Sequence, residues 1–101
     1  PETRETKVGA AEVRQVFQIS RGRVAGCLVT EGRVAQNSRS RVLRNGNIEV
    51  ETRIETIRRI KDEVKEVRAG TECGIHLLDY SDYEPGDIIE CYEVETFRAS
   101  L

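Results

Sequence analysis

The chain has no methionine, only one histidine and only three cysteines among its 101 residues. A natural reading frame begins with methionine, so we expect this chain, which begins at Pro1, to be a piece of a longer protein. An odd number of cysteines argues against a secreted disulfide framework and favours a reducing, cytoplasmic location. No apolar run approaches the length of a membrane span, and none near Pro1 resembles a signal sequence.

The sequence also lacks the common catalytic and cofactor motifs. It contains no P-loop for a nucleoside triphosphate, no H-E-x-x-H zinc motif, no G-x-S-x-G motif and no dinucleotide fingerprint. Cys27, Cys73 and Cys91 are 46 and 18 residues apart, which fits no zinc pattern. His76 follows Cys73 by three residues, so a thiol enzyme built on this pair is the catalytic alternative. We predict that the chain is not an enzyme and holds no metal or other cofactor.

The net charge of −2 conceals a division of charge along the chain. Residues 14–68 carry 13 basic and 7 acidic side chains, whereas residues 69–101 carry 1 basic and 8 acidic ones. Phosphate binding depends on the local potential, so the first portion is a candidate for contact with a polyanion. The alternative is that the opposite charges simply pair across a sheet.

The most informative segment extends from Ile57 to Gly74. It places Arg58, Arg59 and Lys61 within four positions and then reaches Glu72-Cys73-Gly74. A cationic cluster beside a glycine-flanked cysteine suits a phosphate-rich ligand that carries a small group into a close-fitting pocket. The alternative is a solvated basic turn.

Most of the chain alternates in the manner of β-strands. Val13, Phe17 and Ile19 are predicted to share one face of a strand. Asn45-Gly46 is typical of a type I′ hairpin turn, which would place Leu43 opposite Ile48 and bury one side of the strand that follows. Six or seven short strands separated by glycine turns predict an all-β fold, a small closed antiparallel barrel over residues 11–101, preceded by a linker over residues 1–10.

One segment of this barrel is ambiguous. Ile57, Ile60, Val64 and Val67 recur at the spacing of a helical stripe, which predicts a helix of about three turns. The surrounding strand pattern favours a loop that leads into a strand. The sequence alone leaves both open for residues 55–68.

Two blocks carry a family resemblance. They are AEVRQVFQIS with VAGCLVTEGRV, and IRRIKDEVKEVRAGTECGI with the ending PGDIIECYEV. In this order, A-G-C, R-R-x-K-D and E-C-G resemble the last domain of bacterial translation initiation factor 2, from about Ala11 to Val94. The resemblance implies a six-stranded antiparallel barrel like domain II of elongation factor Tu. It also implies that GTP and magnesium are bound by an upstream domain of the parent protein.

The resemblance further implies a function. Such a domain binds the acceptor end of formylmethionyl initiator tRNA, protects it and promotes its placement in the ribosomal P site. The implied partners are this tRNA and, through the parent protein, the ribosome; no membrane and no DNA are expected, and the chain is expected to be a monomer. The residues carried over by motif are Cys27, Arg58, Arg59, Lys61, Glu72, Cys73 and Gly74.

Each of these residues has an alternative role. Arg58, Arg59 and Lys61 would follow the RNA phosphates, and backbone N–H groups near Cys73 and Gly74 would meet the formyl or ester carbonyl. The thiols of Cys27 and Cys73 either line the methionine pocket or pack in the core. Glu72 either orients an arginine or is a surface charge.

The chain also departs from the family pattern. Ile60 and Thr71 stand where the family usually has aromatic residues, so a stacking role at those positions is in doubt. A barrel that docks to the ribosome or to its own parent protein, without tRNA contact, is the competing function.

Overall fold

The computed structural model describes residues 2–19, 22–59 and 62–97. The described residues form eight strands: β1 (Glu2–Ile19), β2 (Gly22–Ala35), β3 (Arg39–Arg44), β4 (Asn47–Arg59), β5 (Asp62–Val64), β6 (Glu66–Arg68), β7 (Glu72–Leu77) and β8 (Ile88–Phe97).

Six of these strands close into a barrel. Their order is β1-β8-β3-β4-β7-β2, and β1 also pairs with β2, so the sheet returns to its first strand. All pairings are antiparallel, and the two short strands add to the outside of the ring, β5 on β4 and β6 on β2. The prediction of a closed antiparallel barrel of about six strands is confirmed.

The core lies inside this ring and is built from alternate residues of its strands. In β7, for example, Cys73, Ile75 and Leu77 are buried while the residues between them face outward. Val29 of β2 and Ile57 of β4 are likewise fully buried. The alternation predicted for residues 73–77 is therefore confirmed.

The segment predicted as an ambiguous helix is extended. β4 continues through Arg59, and β5 and β6 follow, so the helical alternative is wrong for the described part of residues 55–68. Ile57 and Val67 are both buried, but they belong to different strands. Ile57, Val64 and Val67 belong to three consecutive strands, and Ile60 lies outside the described residues.

The tip of the β3–β4 hairpin follows the sequence prediction only in part. Asn45 and Gly46 have φ values of 54° and 81°, as a type I′ turn requires, and Leu43 pairs with Ile48. Ile48 is nevertheless 51% exposed, so its predicted place on the buried face is wrong. The ladder shifts register between Val42 and Leu43, and residues 45–49 are all exposed.

A second shift of register, in β1, changes which side chains of that strand face the core. Val13 is buried as predicted, but the β1–β2 ladder is irregular between Val13 and Gln15. The extra residue of such a bulge moves the following side chains to the opposite face. Val16 packs against the core, whereas Phe17 and Ile19 are exposed, so their predicted place on the same face as Val13 is wrong.

The amino-terminal segment takes part in the sheet. From Glu2 onward, the predicted linker lies in β1 and pairs with the end of β8, Glu2 opposite Phe97. The division of the chain into a linker and a barrel domain stays a prediction.

β1 and β2 cross closely where two glycines face each other. Gly9 pairs with Gly32, and Gly32 has a positive φ of 54°. A Cβ atom on Gly32 would overlap the backbone oxygen of Val8. Only glycine fits this crossing without moving the backbone.

The connection between β7 and β8 is held by two buried side chains. The Tyr83 hydroxyl accepts a hydrogen bond from the backbone N–H of Leu77 at 2.8 Å and donates one to the carbonyl oxygen of Tyr80 at 3.0 Å. Asp87 binds the Arg44 guanidinium through both carboxylate oxygens, at 3.0 and 2.9 Å. This pairing raises the pKa of Arg44.

Candidate functional site

Three neighbouring strands bring most of the predicted site residues together. β7 lies between β4 and β2, and in this sheet Gly74 faces Arg58 on one side and Gly26 on the other. Cys73 lies opposite Cys27 in the same β2–β7 ladder. Residues that are 46 positions apart in the sequence are thus direct neighbours.

The strand alternation divides this group between two faces. Cys27 and Cys73 point into the barrel, where both belong to the buried core. Arg58 and Glu72 are exposed. Gly74 belongs to the outer face of β7, because the residues before and after it in the strand are buried in the core. The outer group can contact a ligand directly, whereas the two thiols lie beneath it.

Two paired glycines of β2 and β7 carry no side chain on the outer face, and side chains of neighbouring residues lie over them. We call this feature, formed by Gly26 and Gly74, the glycine gap. A Cβ atom on Gly26 would come within 2.7 Å of the Phe17 ring, and one on Gly74 within 3.1 Å of a Val24 methyl group. The gap is therefore partly covered by apolar side chains, and a ligand could lie against them on the outer face.

Phe17 is a candidate contact residue that the sequence interpretation missed. Its ring lies over Gly26 and is 51% exposed, so one face or edge is accessible to a ligand. Sequence alternation assigned it to the same side as Val13, because the bulge that turns it outward has no clear sequence signal. The small residues of A-G-C, which permit close approach, were the available hint.

The basic cluster begins at the edge of this gap. Arg58 and Arg59 end β4, and they pair in the ladder with Glu63 and Asp62 of β5. Neither arginine forms an ion pair with a carboxylate whose side chain the structure describes. Lys61 lies outside the described residues. The Arg58 guanidinium thus remains available next to the gap for an anion, and Arg59 is exposed at the same end of β4.

The buried thiols are kept protonated at neutral pH. Burial raises the pKa of Cys73 to about 11, and the nearby positive charge of Arg59 opposes that rise. Burial also raises the pKa of Cys27, and raises that of Cys91 to about 12.

The arrangement does not support a thiol enzyme. Cys73 faces the core, whereas His76, three residues later in β7, faces outward, and its Nδ1 lies 3.4 Å from a carboxylate oxygen of Glu55. A nucleophile and its base must be within hydrogen-bond reach of each other, and a protonated buried thiol is a poor nucleophile. Within the described residues, no group of three histidine, cysteine or carboxylate side chains could hold a metal ion.

Glu72 is exposed at the start of β7, opposite Leu28. No ion pair links it to an arginine among the described side chains, so a role in orienting the basic cluster stays a prediction. Within the described residues, no helix has the length and apolar character needed to cross a membrane.

Comparison with known proteins identifies close sequence relatives. The chain is 48% identical, over 102 aligned residues, to translation initiation factor IF-2 of Nitrobacter winogradskyi. The identity is also 48% to IF-2 of a Bradyrhizobium strain and to IF-2 of Parvibaculum lavamentivorans. Each alignment covers the whole chain but only 11–12% of the relative. No family model matches the chain.

A solved structure shares the fold. The apo form of translation elongation factor SelB from Methanococcus maripaludis matches with a TM-score of 0.68 over 84% of this chain and 19% of that protein. The sequence identity is 19%, so this likeness supports the barrel architecture alone. The sequence relatives go further, and over its whole length the chain belongs to the translation initiation factor IF-2 family, as a domain that matches a small part of such a protein.

Proposed function

We propose that this domain binds the acceptor end of formylmethionyl initiator tRNA in the cytoplasm. Within a longer initiation factor it would protect that end and promote its placement in the ribosomal P site. The GTPase activity, with its GTP and magnesium, would belong to another domain of that protein. The observation that carries the proposal is the convergence of Arg58, the glycine gap and Phe17 on one outer face.

The charge on this face suits a nucleic acid terminus. Arg58 and Arg59 offer guanidinium groups that can bind phosphate oxygens through two parallel hydrogen bonds. The exposed Phe17 ring can stack on a base, and such stacking is worth about 1–3 kcal/mol. This aromatic side chain supplies the stacking surface that Ile60 and Thr71 cannot.

The glycine gap is the proposed binding site of the aminoacyl group. Gly74 is paired on both sides, with Arg58 and Gly26, so its backbone N–H is directed toward a neighbouring strand. The contact with a ligand would therefore depend on the apolar side chains over the two glycines and not on free N–H groups. The formylmethionyl group would lie against the Phe17 and Val24 side chains that cover the glycine gap, with the thiols of Cys27 and Cys73 beneath the gap in the barrel wall.

Selection of the formylated form follows from charge. An unformylated aminoacyl group carries an ammonium, which would lie next to Arg58 and Arg59 and be partly desolvated. Burying an unpaired ammonium costs several kcal/mol, even after the protein relaxes. Formylation removes that charge and adds a carbonyl acceptor for the guanidinium groups.

The test is a comparative titration of the chain with formylated and unformylated methionyl initiator tRNA. Arg58→Gln and Arg59→Ala should each weaken binding of the formylated form by about tenfold or more, since a hydrogen bond to a charged group is worth about 1.5–3 kcal/mol. Arg68→Gln, an exposed arginine in β6, is the matched control and should bind as the parent does. Equal affinity for both tRNAs, or unchanged binding by both variants, would contradict the proposal, and no binding of either tRNA would support the docking-barrel alternative.

A further inference from the structure

A second cationic site lies on the wall of the barrel formed by β8, β3 and β4. Arg39 of β3 pairs directly with Arg53 of β4, and both side chains are exposed. Directly opposed residues of an antiparallel pair have Cβ atoms about 5 Å apart, and like charges in that position are destabilising. Neither arginine forms an ion pair with any carboxylate whose side chain is described.

The two arginines line a cleft large enough for a ligand. Its volume is about 510 Å³, and its other lining residues include Asn37, Leu78 and Tyr92. The Asn37 side chain makes no hydrogen bond within the described part of the chain. Tyr92 supports the cleft from β8, where the guanidinium of Arg41 lies 4.3 Å from the centre of its ring. The cleft therefore offers two guanidinium groups and one amide as donors.

The geometry points to a phosphodiester group of an RNA strand as the ligand of this cleft. Two guanidinium groups on adjacent strands can reach the two non-bridging oxygens of a tetrahedral phosphodiester from different directions, whereas a planar carboxylate is matched by a single guanidinium fork. Glu51 also lines the cleft and disfavours a dianion, so a singly charged diester fits better than a free phosphate. An anion bound here would offset the repulsion between Arg39 and Arg53.

The position of the cleft agrees with a long RNA ligand. Arg53 and Arg58 both face outward on β4, five residues apart, which is about 16 Å along a strand. The cleft is thus separate from the glycine gap, and its function does not require the aminoacyl group. It is a candidate second contact for the backbone of the same RNA.

The experiment uses the 101-residue chain and a 12-nucleotide oligouridylate that carries no amino acid. The double variant Arg39→Gln, Arg53→Gln should weaken oligouridylate binding about tenfold at low salt. It should also lower the slope of log affinity against log salt by about 0.7 for each lost phosphate contact. The double variant Arg14→Gln, Arg68→Gln removes the same charge elsewhere and should change the slope less.

Other outcomes would overturn the assignment. If the Arg39 and Arg53 double variant retains the parent's affinity and salt slope, the cleft binds no RNA. If a polyglutamate peptide, or inorganic phosphate, depends on the two arginines and oligouridylate does not, the ligand is an acidic protein segment or a small anion. Loss of formyl selectivity with oligouridylate binding intact would count against the proposed function and leave this site standing.

Discussion

The Tyr83 hydroxyl provides the sharpest test of how this barrel is held together. Tyr83 is 2% exposed, and its hydroxyl is the hydrogen-bond partner of the fully buried Leu77 N–H. It also donates to the Tyr80 carbonyl. Tyr83→Phe keeps the ring, and with it the edge-to-face contact with Tyr80 at 5.4 Å between centroids. The substitution therefore removes two hydrogen bonds and little else.

The expected loss of stability follows from the Leu77 N–H and the Tyr80 carbonyl, which both lose their hydrogen-bond partner. An unsatisfied buried donor costs about 1–3 kcal/mol, and the carbonyl, which is less buried, adds less. We expect Tyr83→Phe to lower the free energy of unfolding by about 2 kcal/mol. In a domain of this size that corresponds to a melting temperature lower by about 8–16 °C.

Tyr80→Phe is the matched control, because its hydroxyl donates to the Asp82 carbonyl in an exposed position. We expect it to cost about 0.5 kcal/mol or less, since water replaces the lost bond. Urea unfolding monitored by far-UV circular dichroism measures both variants. If Tyr83→Phe is no more destabilising than Tyr80→Phe, then the Leu77 N–H is satisfied in another way and the assignment of this corner is wrong.

The remaining predictions concern the pH dependence of stability, the backbone conformation at two glycines and the binding of tRNA. Burial raises the pKa of Cys91 from 9.0 to about 12, so stability that is present below pH 9 is lost as the pH rises toward 12. Cys91→Ala should reduce the fall in unfolding free energy between pH 8 and 10.5 by about 2 kcal/mol, and an unchanged fall would contradict this. Gly46→Ala should lower the free energy of unfolding by about 1–2 kcal/mol. The alanine would be strained by the positive φ of this position, but its Cβ would meet no other atom. In the same urea assay, Gly32→Ala should lower the free energy of unfolding clearly more than Gly46→Ala does. Equal losses in the two variants would refute the close crossing of β1 and β2. Gly74→Ala should place a methyl group in the glycine gap, 3.1 Å from a Val24 methyl group, and weaken formylmethionyl-tRNA binding at least tenfold, by about 1.4 kcal/mol, with a smaller effect on the melting temperature than Tyr83→Phe has. Parent-like affinity would remove the gap from the site.

Local signals were sufficient for much of the fold. The turn at Asn45-Gly46 was predictable because few residues tolerate two consecutive positive φ values. The alternation of Cys73, Ile75 and Leu77 was predictable because one side of a barrel strand must be apolar. Closure of the barrel followed from the number of short strands and the cost of leaving edges unpaired.

Features that depend on register could not be predicted in this way. The irregular pairing between Val13 and Gln15 moves Phe17 to the outer face, and no residue type specifies such a bulge. The opposition of Arg39 and Arg53 likewise depends on how β3 pairs with β4. Motif spacing placed Arg58 and Gly74 in one site, but only the sheet order shows that they are neighbours.

The central claim is that the outer face around the glycine gap contacts a formylated aminoacyl terminus. The most direct measurement is the change in amide chemical shifts of the ¹⁵N-labelled chain when 3′-formylmethionyl-adenosine is added. The account predicts the largest changes at Gly26, Gly74 and Phe17, smaller changes with the unformylated compound, and none at the distant turn glycine Gly46. Changes of equal size with both compounds, or changes that leave Gly26 and Gly74 unaffected, would contradict it.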